Sequence, residues 1–187
     1  MTKNWYLNSN DDLTKIARNY GLNNWNELTE FIQGLPYGRN KNRTDFKLVL
    51  IEKKGTCSSK HSTLKEIANR NNFPDVKLIL GMYKMNNSNT PKIGNELSKY
   101  AIEYLPEAHC YLKINNVRID LTTKRSNFKK IESDIIEELE IQPNQVAEFK
   151  IDYHKNFIRN WLTKTDLNFT FDQIWHIREQ CIRNLAE

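Results

Sequence analysis

Cys57, His109 and Asp120 are the residues whose types and order in this chain could carry covalent chemistry. Cys57 follows a glycine turn in Gly55-Thr56-Cys57-Ser58-Ser59-Lys60-His61-Ser62 and opens what reads as a helix. A thiol attacks as its thiolate. Its free pKa of about 8.5 falls at a helix N-terminus or beside an imidazolium. The first amides of such a helix could also stabilise an oxyanion. His109, in Glu107-Ala108-His109-Cys110-Tyr111-Leu112, would act as base and then acid. Asp120, in Val117-Arg118-Ile119-Asp120-Leu121-Thr122, would orient it.

The elements around these residues must bring them together. Cys110, Leu112 and Ile114 alternate with His109, Tyr111 and Lys113, and Val117, Ile119 and Leu121 alternate again after Asn115-Asn116. This is the pattern of a β-hairpin. Closure at Asn115-Asn116 sets Asp120 opposite Tyr111, one diagonal step from His109. Diagonal neighbours lie about 7–8 Å apart at the backbone, within side-chain reach. Leu64, Ile67 and Ala68 give the cysteine helix an inward face, and Asn71-Asn72 with Pro74 ends it. Val76–Met85 reads as a buried strand. Phe46–Ile51 is ambiguous between helix and strand.

Farther out, Leu13, Ile16, Ala17 and Tyr20, then Trp25, Leu28, Phe31 and Ile32, predict two N-terminal helices. The stretch 37–43 is polar and turn-rich and predicts a loop. Ile93–Tyr104 predicts a helix. Beyond Lys130 the chain reads as helical, with Pro143 in a first turn and apolar stripes from Val146 to Leu162 and from Ile174 to Leu185. Trp161 and Trp175 fit packing within these stripes.

The 187 residues, 39% of them hydrophobic, suit one domain with a real core. No apolar run approaches the ~18 residues of a membrane helix. Met1-Thr2-Lys3-Asn4-Trp5 lacks the pattern of a secretory signal. Three cysteines do not make a disulfide scaffold, so a reducing cytoplasm is expected. The net charge of +5 favours acidic partners, but no recognition helix or aromatic sheet motif points to nucleic acid. Arg39 and Arg43 could meet a substrate carboxylate or phosphate; a solvated loop is the plainer expectation. A zinc site from Cys57, His61 and His109 competes for the same side chains. His61 otherwise reads as a helix-surface residue or a neighbour of the pocket. Cys110 and Cys181 read as core, and His154 and His176 as structural or solvent-facing.

Gly55-Thr56-Cys57, a helix, the strand Val76–Met85, His109-Cys110-Tyr111 and Asp120-Leu121-Thr122 together resemble the transglutaminase-like superfamily, a branch of the papain-like cysteine enzyme fold. The resemblance covers residues 34–123. It implies an α+β fold in which a Cys-bearing helix packs on an antiparallel sheet. Residues 1–33 and 142–187 would then be helical extensions of a single domain, 1–187. It implies Cys57 as nucleophile, His109 as general base and Asp120 as orienter, with Gln33 or Tyr37 as candidates for the oxyanion hole. It calls for no cofactor and no metal. The expected function is thiol-dependent acyl transfer from a peptide or amide, hydrolysis ahead of cross-linking. The substrate could be a protein. The alternative is a non-catalytic binding or regulatory module that keeps the fold. The 52 residues from Cys57 to His109 suit the small prokaryotic members of that superfamily; no acidic calcium-binding cluster of the animal enzymes is present, and a helical tail stands where they carry β-sandwich domains.

Overall fold

The computed structural model describes residues 5–185. The reading of Met1-Thr2-Lys3-Asn4 falls outside them. The described chain is α+β, with six α-helices and one four-stranded antiparallel sheet. In order these are α1 (Asp12–Asn19), α2 (Trp25–Gly34), α3 (Lys47–Ile51), α4 (Cys57–Arg70), β1 (Val76–Met85), β2 (Leu105–Ile114), β3 (Val117–Ile119), β4 (Ile135–Ile141), α5 (Glu148–Leu162) and α6 (Phe171–Asn184). No described helix is long and apolar enough to cross a membrane.

The sheet order is β3-β2-β1-β4. The two central strands are covered on both faces, which explains their near-continuous apolar runs. Leu78, Leu80, Met82, Cys110 and Leu112 pack with the apolar stripes of α1, α2 and α4. Ile79, Tyr83 and Tyr111 pack with Ile158, Trp161, Ile174 and Cys181 of α5 and α6. The hairpin has the expected register, Leu112 opposite Ile119 and Ile114 opposite Val117. Asn115 and Asn116 take left-handed backbone angles, φ 48° and 64°, as a two-residue turn requires.

Three expectations are corrected. The chain after Lys130 is not simply helical: Ile135–Ile141 is a strand that pairs with β1, Leu78 opposite Ile141. Glu137, Glu138 and Glu140 blur its alternation, and it lies at an edge where Glu137 and Glu140 are exposed and Glu138 is half-buried. Residues 93–104 hold only short 3-10 turns, because Gly94 (φ 69°) and Ala101 (φ 52°) turn the chain left-handed. Pro143 opens a 3-10 turn, and α5 begins only at Glu148. The ambiguous 46–51 segment is resolved as the short helix α3.

Candidate active site

α4 starts at Cys57 because Thr56 and Ser59 cap one another. Ser59 N donates to Thr56 Oγ1 at 3.3 Å, and Thr56 N donates to Ser59 Oγ at 2.9 Å. This reciprocal pair satisfies two amides that a helix start leaves open. Cys57 therefore sits at the first helical position, only 8% exposed. Gly55 is required by close approach rather than by its backbone angle. A Cβ there would come within 2.8 Å of Lys60 Cγ and 3.0 Å of Ser59 Oγ. The same glycine bridges to the loop before it: Gly55 N donates to Pro36 O at 3.2 Å and Gly38 N to Gly55 O at 3.3 Å. That bridge sets Tyr37 beside the thiol.

α4 is wrapped on nearly every side, so its polar residues must find partners inside the protein. Lys60, His61, Ser62 and Thr63 are all fully buried. Lys60 Nζ donates to Leu35 O at 2.5 Å and to Thr122 O at 2.6 Å. Burial, against the pull of Asp120 and Cys57, lowers its pKa to about 8. His61 Nδ1 donates to Cys57 O at 2.7 Å, and His61 Nε2 accepts from Leu121 N at 2.8 Å. Those two bonds fix a neutral ring, and burial draws its pKa down to about 4. His61 is thus neither on the helix surface nor free to ligate a metal. It is an internal strut between the cysteine turn and the Asp120 segment.

β3 ends at Ile119, so Asp120 lies just past the strand rather than within it. Its carboxylate reaches back across the open edge of β2. Asp120 Oδ2 accepts from His109 Nε2 at 3.0 Å. Asp120 Oδ1 accepts from Thr122 N at 2.9 Å and from Thr122 Oγ1 at 2.6 Å. These bonds outweigh its burial and hold the carboxyl well below the usual range. They leave His109 Nδ1 for the thiol. Burial of the His109 ring opposes charge, but Asp120 and then Cys57 overcome it and raise its pKa well above the ordinary value. Cys57 is pushed the other way. Burial alone would raise the thiol; Lys150 and then His109 outweigh it and lower the pKa to about 6. Both shifts favour the charged forms, a Cys57 thiolate beside a His109 imidazolium.

The structure thus brings together all three residues singled out by the sequence. It adds others that the sequence did not single out. Lys150, on α5, donates through Nζ to Ser58 Oγ at 2.7 Å and supplies the largest field that favours the thiolate. Nothing local in the sequence marks it, because only the folded chain sets α5 against the start of α4. Glu107 shares His109's side of β2 by alternation, a signal that was available. It is buried and takes a two-pronged bond from Arg178, at 2.7 and 2.5 Å. Its own burial is outweighed by Arg178 and His154, and its pKa falls to about 2. His154 is buried too; its Nε2 donates to Pro106 O at 2.8 Å. His176 is exposed, and Cys110 and Cys181 are buried in the core.

Cys57 lies where two cavities meet. The larger, about 710 Å³, is lined by His109, Asp120, Gln33, Tyr37 and Tyr83. The smaller, about 160 Å³, runs toward α5 and α6. Both oxyanion-hole candidates, Gln33 and Tyr37, therefore line the larger cavity with the thiol. Burial, and then the neighbouring thiol, raises the Tyr37 pKa and keeps its hydroxyl protonated. Compared with protein-family models, with curated proteins and with solved structures, the chain gives no match.

Proposed function

We propose that this protein is a thiol-dependent acyl-transfer enzyme of transglutaminase-like, papain-like architecture. The observation that carries the reading is the opposed pair of pKa shifts. The Cys57 thiol is drawn down to about 6, beside a His109 whose imidazolium is held by Asp120. Structural cysteines in apolar surroundings shift upward instead, as Cys181 does, to about 12. In the proposed reaction the Cys57 thiolate attacks an amide carbonyl in the larger cavity. The tetrahedral oxyanion takes hydrogen bonds from the first amides of α4 and from the protonated Tyr37 hydroxyl. His109 gives its proton to the departing amine, and a thioester remains on Cys57. His109, now neutral, takes a proton from water, the hydroxide displaces the thioester, and the acid leaves with the thiolate restored. Water is preferred to an amine as acceptor because no feature of the cleft identifies an amine site.

Alkylation of Cys57 by iodoacetamide across pH tests the reading. The expected rate profile has a midpoint near 6, and His109→Ala moves it toward the free-thiol value of about 8.5. A p-nitrophenyl ester should leave an acyl adduct on Cys57, found by mass spectrometry and lost in Cys57→Ala. A midpoint at the free-thiol value with no adduct would leave a non-catalytic module that keeps the arrangement.

A further inference from the structure

The smaller cavity beside Cys57 carries more positive charge than the fold uses. Five cations and two carboxylates line it. Both carboxylates are already occupied. Glu107 is held by Arg178, and Glu179 by Arg39 at 2.8 Å and by Arg178 at 2.6 Å. Three cations remain that pair with no carboxylate among the described residues: Arg43, Lys150 and Lys155. Lys150 donates to Ser58 Oγ, at the Cys57 end. Lys155 lies over the Trp175 ring at 5.5 Å. Arg43 stands exposed at the edge, near Arg39 and Arg178. Its pKa is lowered, first by desolvation and then by those two like charges. Stacking like charges around a small concavity destabilises the empty protein, and an anion placed there relieves the repulsion. A cavity of about 160 Å³ has room for a short acidic side chain.

We propose that this cavity is a subsite for an anionic group of the substrate, a carboxylate on a short side chain next to the amide that Cys57 attacks. Arg43 binds it at the rim with Lys155 nearby, away from the Cys57 thiolate that Lys150 already stabilises. The inference rests on the reading of Cys57 as nucleophile and narrows its substrate to amides flanked by an acidic residue. It also turns the 37–43 loop from a solvated connection into a part of the binding cleft. A planar guanidinium suits a carboxylate because it can offer two parallel donors.

The test compares an anionic with a neutral reagent on the same thiol. Cys57 in the 187-residue chain is alkylated by iodoacetate and by iodoacetamide at low ionic strength, and the ratio of the two rates is measured. The ratio should exceed that of free N-acetylcysteine by about tenfold or more, and Arg43→Gln should lower it at least about threefold. Arg43→Lys, which keeps the charge, should retain most of it. A ratio that Arg43→Gln does not change overturns the subsite, since Lys150 and His109 alone would then account for the preference. A second arm is independent of Cys57 reactivity: glutarate should protect Arg43 from phenylglyoxal, mapped by mass spectrometry. Unreactive Cys57 with a protected Arg43 sinks the nucleophile and keeps the subsite. Reactive Cys57 with no protection does the reverse.

Discussion

The ionisation of Cys57 is set by residues from two separate parts of the chain, α5 and β2, and they do not contribute alike. Lys150 heads the influences that oppose burial, ahead of His109. Replacing Lys150 with Met removes that charge while keeping the length of the stem. The midpoint of thiolate formation, followed by its ultraviolet absorbance, should then rise from about 6 toward the ordinary thiol value; a midpoint that stays would show that His109 alone suffices. The triad candidates were legible from sequence because each announces itself locally. Cys57 follows a turn at a capped helix start, His109 sits on a strand, and Asp120 falls at a register position. Lys150 was not legible, since a lysine on an amphipathic helix looks like any solvated lysine. Lys60 lay between these cases. It shares the stripe of Leu64 and Ile67, a position that asks for a buried partner.

Among the elements, β1 shows how tightly the sheet is fitted to the site. Gly81 stands opposite His109 in the register. The Tyr111 ring leans across it, so a Cβ at Gly81 would meet Tyr111 Cε1 at 2.8 Å and its hydroxyl oxygen at 2.9 Å. Tyr111 cannot step aside: it is fully buried and its hydroxyl donates to Glu138. Glu138 is held in turn by Arg118 at 2.7 and 2.6 Å. Gly81→Ala should therefore cost about 1–3 kcal/mol, the usual range for overpacking, read as a lower denaturant midpoint. A midpoint equal to the parent's would mean that the ring moves. The hairpin was legible down to its pairing, because a two-residue Asn-Asn turn leaves one register. β4 was not. Its three glutamates hid the period that a strand with one wet face should show, and only its pairing with β1 makes it a strand.

Across the whole molecule, two histidines are buried in neutral form, one on each side of the sheet. His61 lies under the cysteine turn and His154 against α6, and burial lowers the pKa of each from 6.5 to about 4. A folded state that resists protonation loses stability as the pH falls from about 6.5 to about 4, because the unfolded chain takes up the protons first. The shifts correspond to about 3 kcal/mol for each histidine. His109 does not offset this loss. Its pKa is raised, so the stability that it adds is complete below 6.5 and is lost only at higher pH. The protein should thus unfold more readily in denaturant at pH 5 than at pH 7, and His154→Gln should shrink that difference. An equal stability at the two pH values would contradict the buried neutral rings. That sensitivity was not legible in the sequence, where His61 and His154 carry no mark of their depth.

The distance in sequence between Cys57 and Lys150 also has a meaning in time. During synthesis the cysteine leaves the ribosome first, then the hairpin with His109 and Asp120, and the lysine of α5 after both. A chain cut short before Lys150 would carry a thiol without its strongest counter-charge. The thiol therefore gains its strongest counter-charge only after the helix and the hairpin around it have been made.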